Sequence, residues 1–325
     1  MNKKIQIPQK IPTWLKYVFA IIPIIWIFWT INFTEMFRVF HSIAWWTIPS
    51  MVAGILLSML LQGLRLWMLL KAFIPHIKFS RVINVHFIGI FYSIILPTNA
   101  AHEVVRAVLL SKDNDYGITW GSTVVSRILG LLVLAILSLY GIFLVSKGAL
   151  PHGFYVSVLS IFVVLVILFY LSFSKKMTSP IRSIFTKILP AKLQKIIEDI
   201  RQGIYMYRDK KAGLFSVFLL TVFIQILLVG ITSLIIAGIT GKFFLSECLA
   251  YVPLIEILSM SIPLTPSGLG VREFLTKLMF NHIGISNEQL GVYIVICFMA
   301  ILLKLVGVIP VLCGFIKNSK EEGPQ

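Results

Sequence analysis

The sequence predicts an all-α polytopic membrane protein. Hydrophobic side chains make up 58% of its 325 residues, and several apolar stretches are long enough to cross a bilayer as helices. Two further apolar stretches are shorter and run into prolines and glycines, which interrupt a helix. We therefore predict a single domain, residues 1–325, with about six full transmembrane helices and two oppositely oriented re-entrant helical hairpins, arranged as an inverted repeat.

The chain begins with a basic segment and two predicted spans. Residues 15–33 are apolar over a greater length than a signal-peptide core and lack its small-residue cleavage site, so we expect them to remain as the first span. Residues 34–44 mix charged and aromatic side chains, which indicates a short interfacial helix. Residues 45–70 form the second span, and we expect Arg65 near its far end to reach water along its apolar stem.

The first hairpin is predicted from an apolar stretch that ends at a proline. Residues 83–96 are only about half as long as a span, and Pro97 interrupts them. A second short helix is predicted at about 102–111, so the chain would enter the membrane and return to the same side. The third full span follows at 118–146.

The middle of the chain combines a span with a polar insertion. A charge-free fourth span is predicted at 153–173, and residues 174–212 form the one large polar segment. Within it, residues 191–208 place apolar side chains at helical spacing opposite lysines and arginines. This pattern predicts a cytoplasmic amphipathic helix that lies on an anionic membrane surface.

The second hairpin lies between the last two spans, at 213–238 and 289–316. Its first arm, 248–262, is again about half as long as a span, and a short helix to about His282 follows it. The residues predicted to break the hairpins are Pro97 in the first, and Pro263, Pro266, Gly268 and Gly270 in the second.

The two hairpins share a sequence pattern. Pro97 lies nine residues before Arg106, and Pro263 lies nine residues before Arg272, so 166 residues separate the two copies. Each hairpin is flanked by two full spans, and a single crossing between the units inverts the second one. The units are residues 45–146 and 213–316. This is the plan of many secondary transporters, in which broken helices meet near the bilayer midplane.

The basic residues predict the orientation of the chain. It carries 29 lysines and arginines and a formal net charge of +16. In the predicted topology about 20 of these residues face one side and about three face the other, which is a strong positive-inside signal. We therefore predict a multi-pass protein of the cell membrane with both termini in the cytoplasm, and not a nucleic-acid-binding protein.

Seven charged side chains are predicted at membrane depth. They are Glu103, Arg106, Arg127, Glu256, Arg272, Glu273 and Lys304. If these side chains faced lipid, their insertion would together cost a free energy on the order of 20 kcal/mol. They must therefore pair with each other, bind a ligand or line water. Cations outnumber acids, which predicts a cavity for an anionic group such as a lipid phosphate. We expect Arg106 and Arg272 to bind that phosphate. Arg127 and Lys304 would support them, and the three glutamates would tune these cations or carry protons.

Other interpretations of these charges stay open. Glu103 and Arg106 are three residues apart on one helix and can neutralise each other. Lys304 can be the buried partner of Glu256. His102 at a helix start is typical of a capping side chain. Extension to the membrane interface is the alternative for three cations: Arg65, Arg127 and Lys277.

The residues around both breaks resemble the family of the transmembrane region of lysylphosphatidylglycerol synthase, whose members are flippase-like membrane proteins. Residues 97–106 read Pro-Thr-Asn-Ala-Ala-His-Glu-Val-Val-Arg, similar to the family's Pro…Gly-Gly-Asp/Glu-x-x-Arg. Ala101 and His102 stand where the family usually has glycines. Residues 263–273 read Pro-Leu-Thr-Pro-Ser-Gly-Leu-Gly-Val-Arg-Glu, similar to its Pro-x-x-Pro-x-Gly-Leu-Gly-x-Arg-Glu. The resemblance covers most of the chain.

This resemblance implies a flippase or scramblase that moves an anionic, aminoacylated or polyprenyl-phosphate-linked lipid between leaflets. Its implied partner is therefore a membrane phospholipid or a polyprenyl-phosphate lipid, and a homo-oligomer is compatible with it. The full-length synthases add a soluble aminoacyl-transferase domain. A chain that ends at Gln325 has no room for that domain, so we expect no synthesis of lysyl lipid. The sequence has no Walker-type phosphate-binding motif, which favours transport without ATP hydrolysis.

Two other functions fit parts of the sequence. An integral-membrane lipid-phosphate enzyme needs a nucleophile beside a base, and only Ser267 and His102 offer that pair, in different hairpins. A secondary transporter of a small anionic solute fits the fold as well. We predict no catalytic residue, no metal site and no cofactor. Three cysteines lie in apolar segments without metal-ligand or disulfide spacing: Cys248, Cys297 and Cys313.

Overall fold

The computed structural model describes residues 31–95, 101–145, 191–261 and 270–313, together with single positions within 25–29 and 156–167. These residues form 11 α-helices and no strand. In chain order the helices are α1 (Phe33–His41), α2 (Thr47–Lys71), α3 (Phe79–Ile95), α4 (Ala101–Leu110), α5 (Tyr116–Val145), α6 (Ala191–Met206), α7 (Lys211–Thr240), α8 (Leu245–Ser261), α9 (Val271–Asn281), α10 (Asn287–Leu302) and α11 (Val308–Leu312). Short 3₁₀ turns, Tyr207–Asp209 and Leu303–Gly307, precede α7 and α11.

Four helical segments are long and apolar enough to cross a membrane. They are α2, α5, α7 and the run from α10 through α11, Asn287–Leu312. They confirm the full spans that were predicted at 45–70, 118–146, 213–238 and 289–316, and α1 matches the short helix predicted at 34–44. The other two predicted spans, 15–33 and 153–173, lie largely outside the described residues, as do four of the predicted break residues: Pro97, Pro263, Pro266 and Gly268.

Each predicted hairpin consists of a long first arm and a short second arm. α3 and α8 each contain 17 residues, and a rise of 1.5 Å per residue makes each about 25 Å long. The prediction of half-length first arms is therefore wrong. Polar residues in the first turns obscured the start of both arms, Ser80 and Arg81 in α3, and Ser246 and Glu247 in α8. The second arms, α4 and α9, have 10 and 11 residues.

The two arms of the first hairpin pack closely. Gly89 of α3 faces the backbone of α4, because a Cβ atom at Gly89 would lie 2.7 Å from the carbonyl oxygen of His102. At the open end, Nη2 of Arg81 donates a hydrogen bond to Oδ2 of Asp113 at 2.7 Å. Arg81 lies in the first turns of α3 and Asp113 in the turn after α4, so the chain leaves the hairpin close to where it entered.

In the packing of the two predicted units, helices of one unit contact the corresponding or following helices of the other unit, an arrangement that we term exchanged packing. α2 packs against α7, the corresponding span of the other unit. α8 packs against α5, and α3 packs against the 3₁₀ turn and α11 at the end of the last span. Glycines allow both contacts: a Cβ atom at Gly141 would overlap the backbone of Ala250, and one at Gly307 would overlap the carbonyl of Phe87. Each first arm thus rests on the span that follows the other hairpin.

Helix α6 docks against α5. Gly203 lies against the carbonyl of Gly117, and Gly121 lies against the backbone of Gly203, so the two helices touch where neither has a side chain. Ile204 is buried, whereas Ile197 stays 45% exposed. Part of the apolar face that we expected to lie on the membrane therefore packs against α5. Contact of 174–212 with an anionic membrane surface stays a prediction.

Candidate functional site

A cavity of about 420 Å³ lies where both hairpins meet the full spans. Residues of α2, α4, α5, α7, α8, α9, α10 and the 3₁₀ turn Leu303–Gly307 line it, so the two hairpins contribute to one chamber. Most of its wall is apolar, and Met51, Ile55, Leu134 and Leu228 are typical of it. The charged residues in the lining are Arg65, Glu103, Arg127, Glu256, Arg272 and Lys304.

Four charged residues form what we term the first-hairpin cluster. They are Arg65, Glu103, Arg106 and Arg127. Nη1 of Arg127 lies 3.2 Å from Oε1 of Glu103, and this ion pair links α5 to α4. The structure thus pairs Glu103 with Arg127 and not with Arg106, its neighbour on α4. Because Arg127 turns toward the cavity, it does not extend to the membrane interface.

Three charged residues form the second-hairpin cluster. They are Glu256, Arg272 and Lys304. Nη2 of Arg272 lies 2.6 Å from Oε2 of Glu256, which joins α9 to α8. The two side chains are 45% and 28% exposed, so this pair faces accessible space within the cavity. The alternative pairing of Lys304 with Glu256 is not found, and Lys304 has no ion-pair partner in the part of the chain that the structure describes.

Arg65 and Arg106 are buried, unlike the other cations of the two clusters. Arg65 is 9% exposed and lines the cavity, so the expectation that it extends to water is wrong. It turns toward α5, where Gly130 leaves room for its Nη1 atom. Arg106 is 1% exposed and lies outside the cavity lining. Lys277, also expected at the interface, is 4% exposed.

Glu273 caps a helix and does not reach the cavity. Its carboxylate accepts a hydrogen bond of 2.5 Å from the backbone N–H of Gly270, the residue before α9. Gly270 has a φ of 84°, a backbone region that favours glycine. The acid also lies in the first turn of α9, where a negative charge stabilises the helix dipole. The structure therefore gives Glu273 a local role that the sequence analysis did not consider.

A comparison with models of protein families identifies the family of this chain. The family model described as the lysylphosphatidylglycerol synthase TM region matches residues 13–308. The chain belongs to this family. The match confirms the predicted family and includes residues 97–106 and 263–273 in its range, and it relates the protein to lipid metabolism or transport in membranes. No curated protein and no solved structure matches the chain.

In this member of the lysylphosphatidylglycerol synthase TM family, the cavity gathers five of the seven predicted charged residues. Arg106 and Glu273 are the two that lie outside its lining. The cavity also contains polar residues to which we had given no role: Gln62, Gln225, Thr232, Tyr293 and Cys297. The sequence of α2 contains a pattern that could have identified part of this lining. Residues at helical spacing form one face that is apolar at its start and becomes polar as it approaches Arg65. They are Met51, Ile55, Met59, Gln62 and Arg65.

The residues proposed for enzyme chemistry are only partly described in this family member. His102 lines the cavity, and its Nε2 atom lies 4.0 Å from Oε1 of Glu103. Ser267 lies outside the described residues. No group of three or more His, Cys, Asp or Glu residues that could hold a metal ion occurs in the described segments. The three cysteines are all free thiols, Cys248, Cys297 and Cys313.

Proposed function

We propose that this protein is a transporter of the flippase or scramblase type, which moves an anionic lipid between the two leaflets of its membrane. The observation that supports this proposal best is a cavity that both hairpins line together. A helix interruption at membrane depth is tolerated where it lines a polar cavity, and charges at that depth mark substrate pathways.

The charges of the cavity favour an anionic substrate. Its lining contains four cations and two carboxylates, so two positive charges have no acidic counterpart there. A ligand with negative charge would supply the missing counter-charge, and guanidinium groups suit phosphate because they donate two hydrogen bonds at once. The volume of about 420 Å³ is in the range of about 300–1,000 Å³ usual for sites of small ligands. We propose that it receives the head group while the acyl chains stay in the bilayer.

The packing of the helices supports alternating access by two inverted units. The offset of 166 residues that relates Arg106 to Arg272 also relates the two bounds of α3 to those of α8. The same offset relates Gly141 to Gly307, the glycines at the two exchanged contacts. Two copies of one unit related by a pseudo-two-fold axis would produce this exchange, as in transporters built from inverted repeats. We propose that the first hairpin opens from the cytoplasmic side and the second from the outside.

The test is lipid flipping in proteoliposomes. Head-group-labelled anionic and zwitterionic lipids are compared for the wild type, for Arg272→Gln and for Arg38→Gln. Arg38 is the matched control because it pairs with Glu35 at 3.0 Å on α1, where its side chain is 75% exposed. We expect Arg272→Gln to lower flipping at least tenfold and Arg38→Gln to leave it unchanged. Equal flipping by all three proteins would exclude Arg272 from the mechanism.

The same vesicles distinguish the two other functions. Uptake of a small anionic solute that lipids do not inhibit would indicate a solute transporter. Release of inorganic phosphate from a lipid phosphate, without flipping, would indicate an enzyme. Either result would replace the flippase proposal, because the cavity and its charges are compatible with any phosphate-bearing ligand.

A further inference from the structure

The first-hairpin cluster contains more positive charge than its surroundings compensate. It has three guanidinium groups and one carboxylate, and Glu103 already bonds to Arg127. Arg65 and Arg106 lie within electrostatic range of each other and of Glu103. Within the described residues, the Nε atom of Arg65 and the Nε and Nη2 atoms of Arg106 have no hydrogen-bond partner.

Buried donors of this kind are rare. A buried polar group without a hydrogen bond destabilises the fold, and a buried charge without a partner does so more strongly. Arg65 and Arg106 are both at least nine-tenths buried, so bulk water does not satisfy them. Arg65 borders the cavity, so a ligand in the cavity can reach it. Arg65 therefore brings an unpartnered donor to the cavity wall, and Arg106 adds a second buried guanidinium with unpartnered donors outside the lining.

We propose that the first-hairpin cluster binds a phosphate group with two negative charges, that Arg65 donates hydrogen bonds to it from the cavity wall, and that Arg106, outside the lining, adds its positive charge. This inference rests on the proposed function and names the class of its substrate. Three positive charges less one carboxylate leave two to be compensated. A phosphomonoester carries about −1.5 to −2 at pH 7, whereas a phosphodiester carries a single negative charge. The substrate is accordingly a lipid phosphomonoester or terminal diphosphate, or the same group on a free anion.

The second-hairpin cluster differs in charge. Arg272 and Lys304 share the cavity with Glu256, so one positive charge remains there. A dianionic group is therefore compensated better in the first-hairpin cluster. The two clusters lie beside opposite hairpins. The head group would therefore bind strongly at the first-hairpin cluster and leave the cavity past the second-hairpin cluster.

The experiment measures lipid binding directly, apart from flipping. The purified protein is titrated in detergent with phosphatidic acid, with phosphatidylglycerol and with phosphatidylcholine, and the rise of its melting temperature gives an apparent affinity. We expect phosphatidic acid to bind at least tenfold more tightly than phosphatidylglycerol. Arg65→Gln should remove this preference, and Arg38→Gln should keep it.

Arg65→Gln is expected to fold, because it removes a buried charge without a partner. Arg65→Lys is a second variant that keeps the charge but loses the planar fork, and we expect it to lose most of the preference. Equal binding of phosphatidic acid and phosphatidylglycerol by the wild type would overturn the inference. A preference that survives both Arg65 variants would overturn it as well.

Inorganic phosphate distinguishes the two sources of the group. If phosphate alone competes with phosphatidic acid in the wild type, the cluster recognises the phosphate itself, as proposed. If phosphate binds and phosphatidic acid does not, the site is one for a free dianion, and the proposed lipid transport fails while the inferred site stands. If phosphatidic acid binds selectively but no lipid is flipped, the proposed function fails and the site again stands.

Discussion

Oε2 of Glu256 lies 2.6 Å from Nη2 of Arg272, so an ion pair joins the two arms of the second hairpin. Glu256 lies in α8 and Arg272 in the first turn of α9, on either side of the predicted break. Any movement that separates these arms must break the pair. Both side chains are partly exposed to the cavity, so we expect the pair to separate more easily than a fully buried one.

A charge swap tests this ion pair. Glu256→Arg and Arg272→Glu each place like charges side by side, and we expect each to lower the melting temperature of the purified protein by a few degrees, which corresponds to about 1 kcal/mol. The double variant should recover the stability because it restores the pair in reverse. Its lipid flipping should stay low, since the cation now lies on the other arm. Equal stability of all four proteins would show that the two side chains do not interact in the membrane.

The first-hairpin cluster predicts an unequal effect of its two paired residues. Glu103→Gln leaves three guanidinium groups without a carboxylate, whereas Arg127→Gln leaves Glu103 with two remaining cations. We expect Glu103→Gln to lower the free energy of unfolding by about 1–3 kcal/mol and Arg127→Gln by less than about 1 kcal/mol. Thermal unfolding in the same detergent compares them. A larger loss for Arg127→Gln would show that Glu103 has a single partner.

The exchanged contacts predict opposite effects of one substitution at different glycines. Gly141→Ala and Gly307→Ala place a Cβ atom against the backbone of α8 and α3, and overpacking of this kind costs about 1–3 kcal/mol. Gly230→Ala in α7 is the matched control, because nothing lies within 4 Å of its Cβ position. It should stabilise the helix by up to about 1 kcal/mol. Similar melting temperatures for all three variants would contradict the exchanged packing.

The inverted arrangement predicts which residues a membrane-impermeant thiol reagent reaches from each side. Single cysteines replace Lys78, Lys112, Lys242 or His282, all exposed, in a background without the three native cysteines. The first two flank the first hairpin and should react only from the cytoplasmic side. The last two flank the second hairpin and should react only from the outside. Labelling of all four from one side would exclude an inverted repeat.

The helical segments could be predicted more completely than their ends. Continuous apolar runs place the four full spans, because hydropathy depends only on the composition of a stretch about 20 residues long. Hydropathy also led to predicted lengths that were too short for α3 and α8, because the first turns of these helices are polar. Hydropathy does not distinguish a polar helix start from a loop, and in α3 such a turn is held by Arg81 and Asp113 at the open end of the hairpin.

The charged residues of the site were predictable, but their partners were not. The apolar segments around them predicted Glu103, Glu256 and Arg272 at membrane depth, and the structure brings all three to the cavity. Pairing depends on the rotation of each helix about its axis, which one sequence does not specify. For the same reason Arg65 was assigned to the interface, although α2 turns it toward the cavity.

The exchanged packing has a consequence for biosynthesis. α3 is translated early, but one of its packing partners, the 3₁₀ turn that begins at Leu303, follows more than 200 residues later. Until the last span is inserted, the first hairpin therefore lacks this contact, and the carbonyl of Phe87 does not yet lie against Gly307. Each half of the polypeptide thus completes its packing only against the other half. We therefore expect the two halves, produced as separate chains in one cell, to assemble into a functional pair.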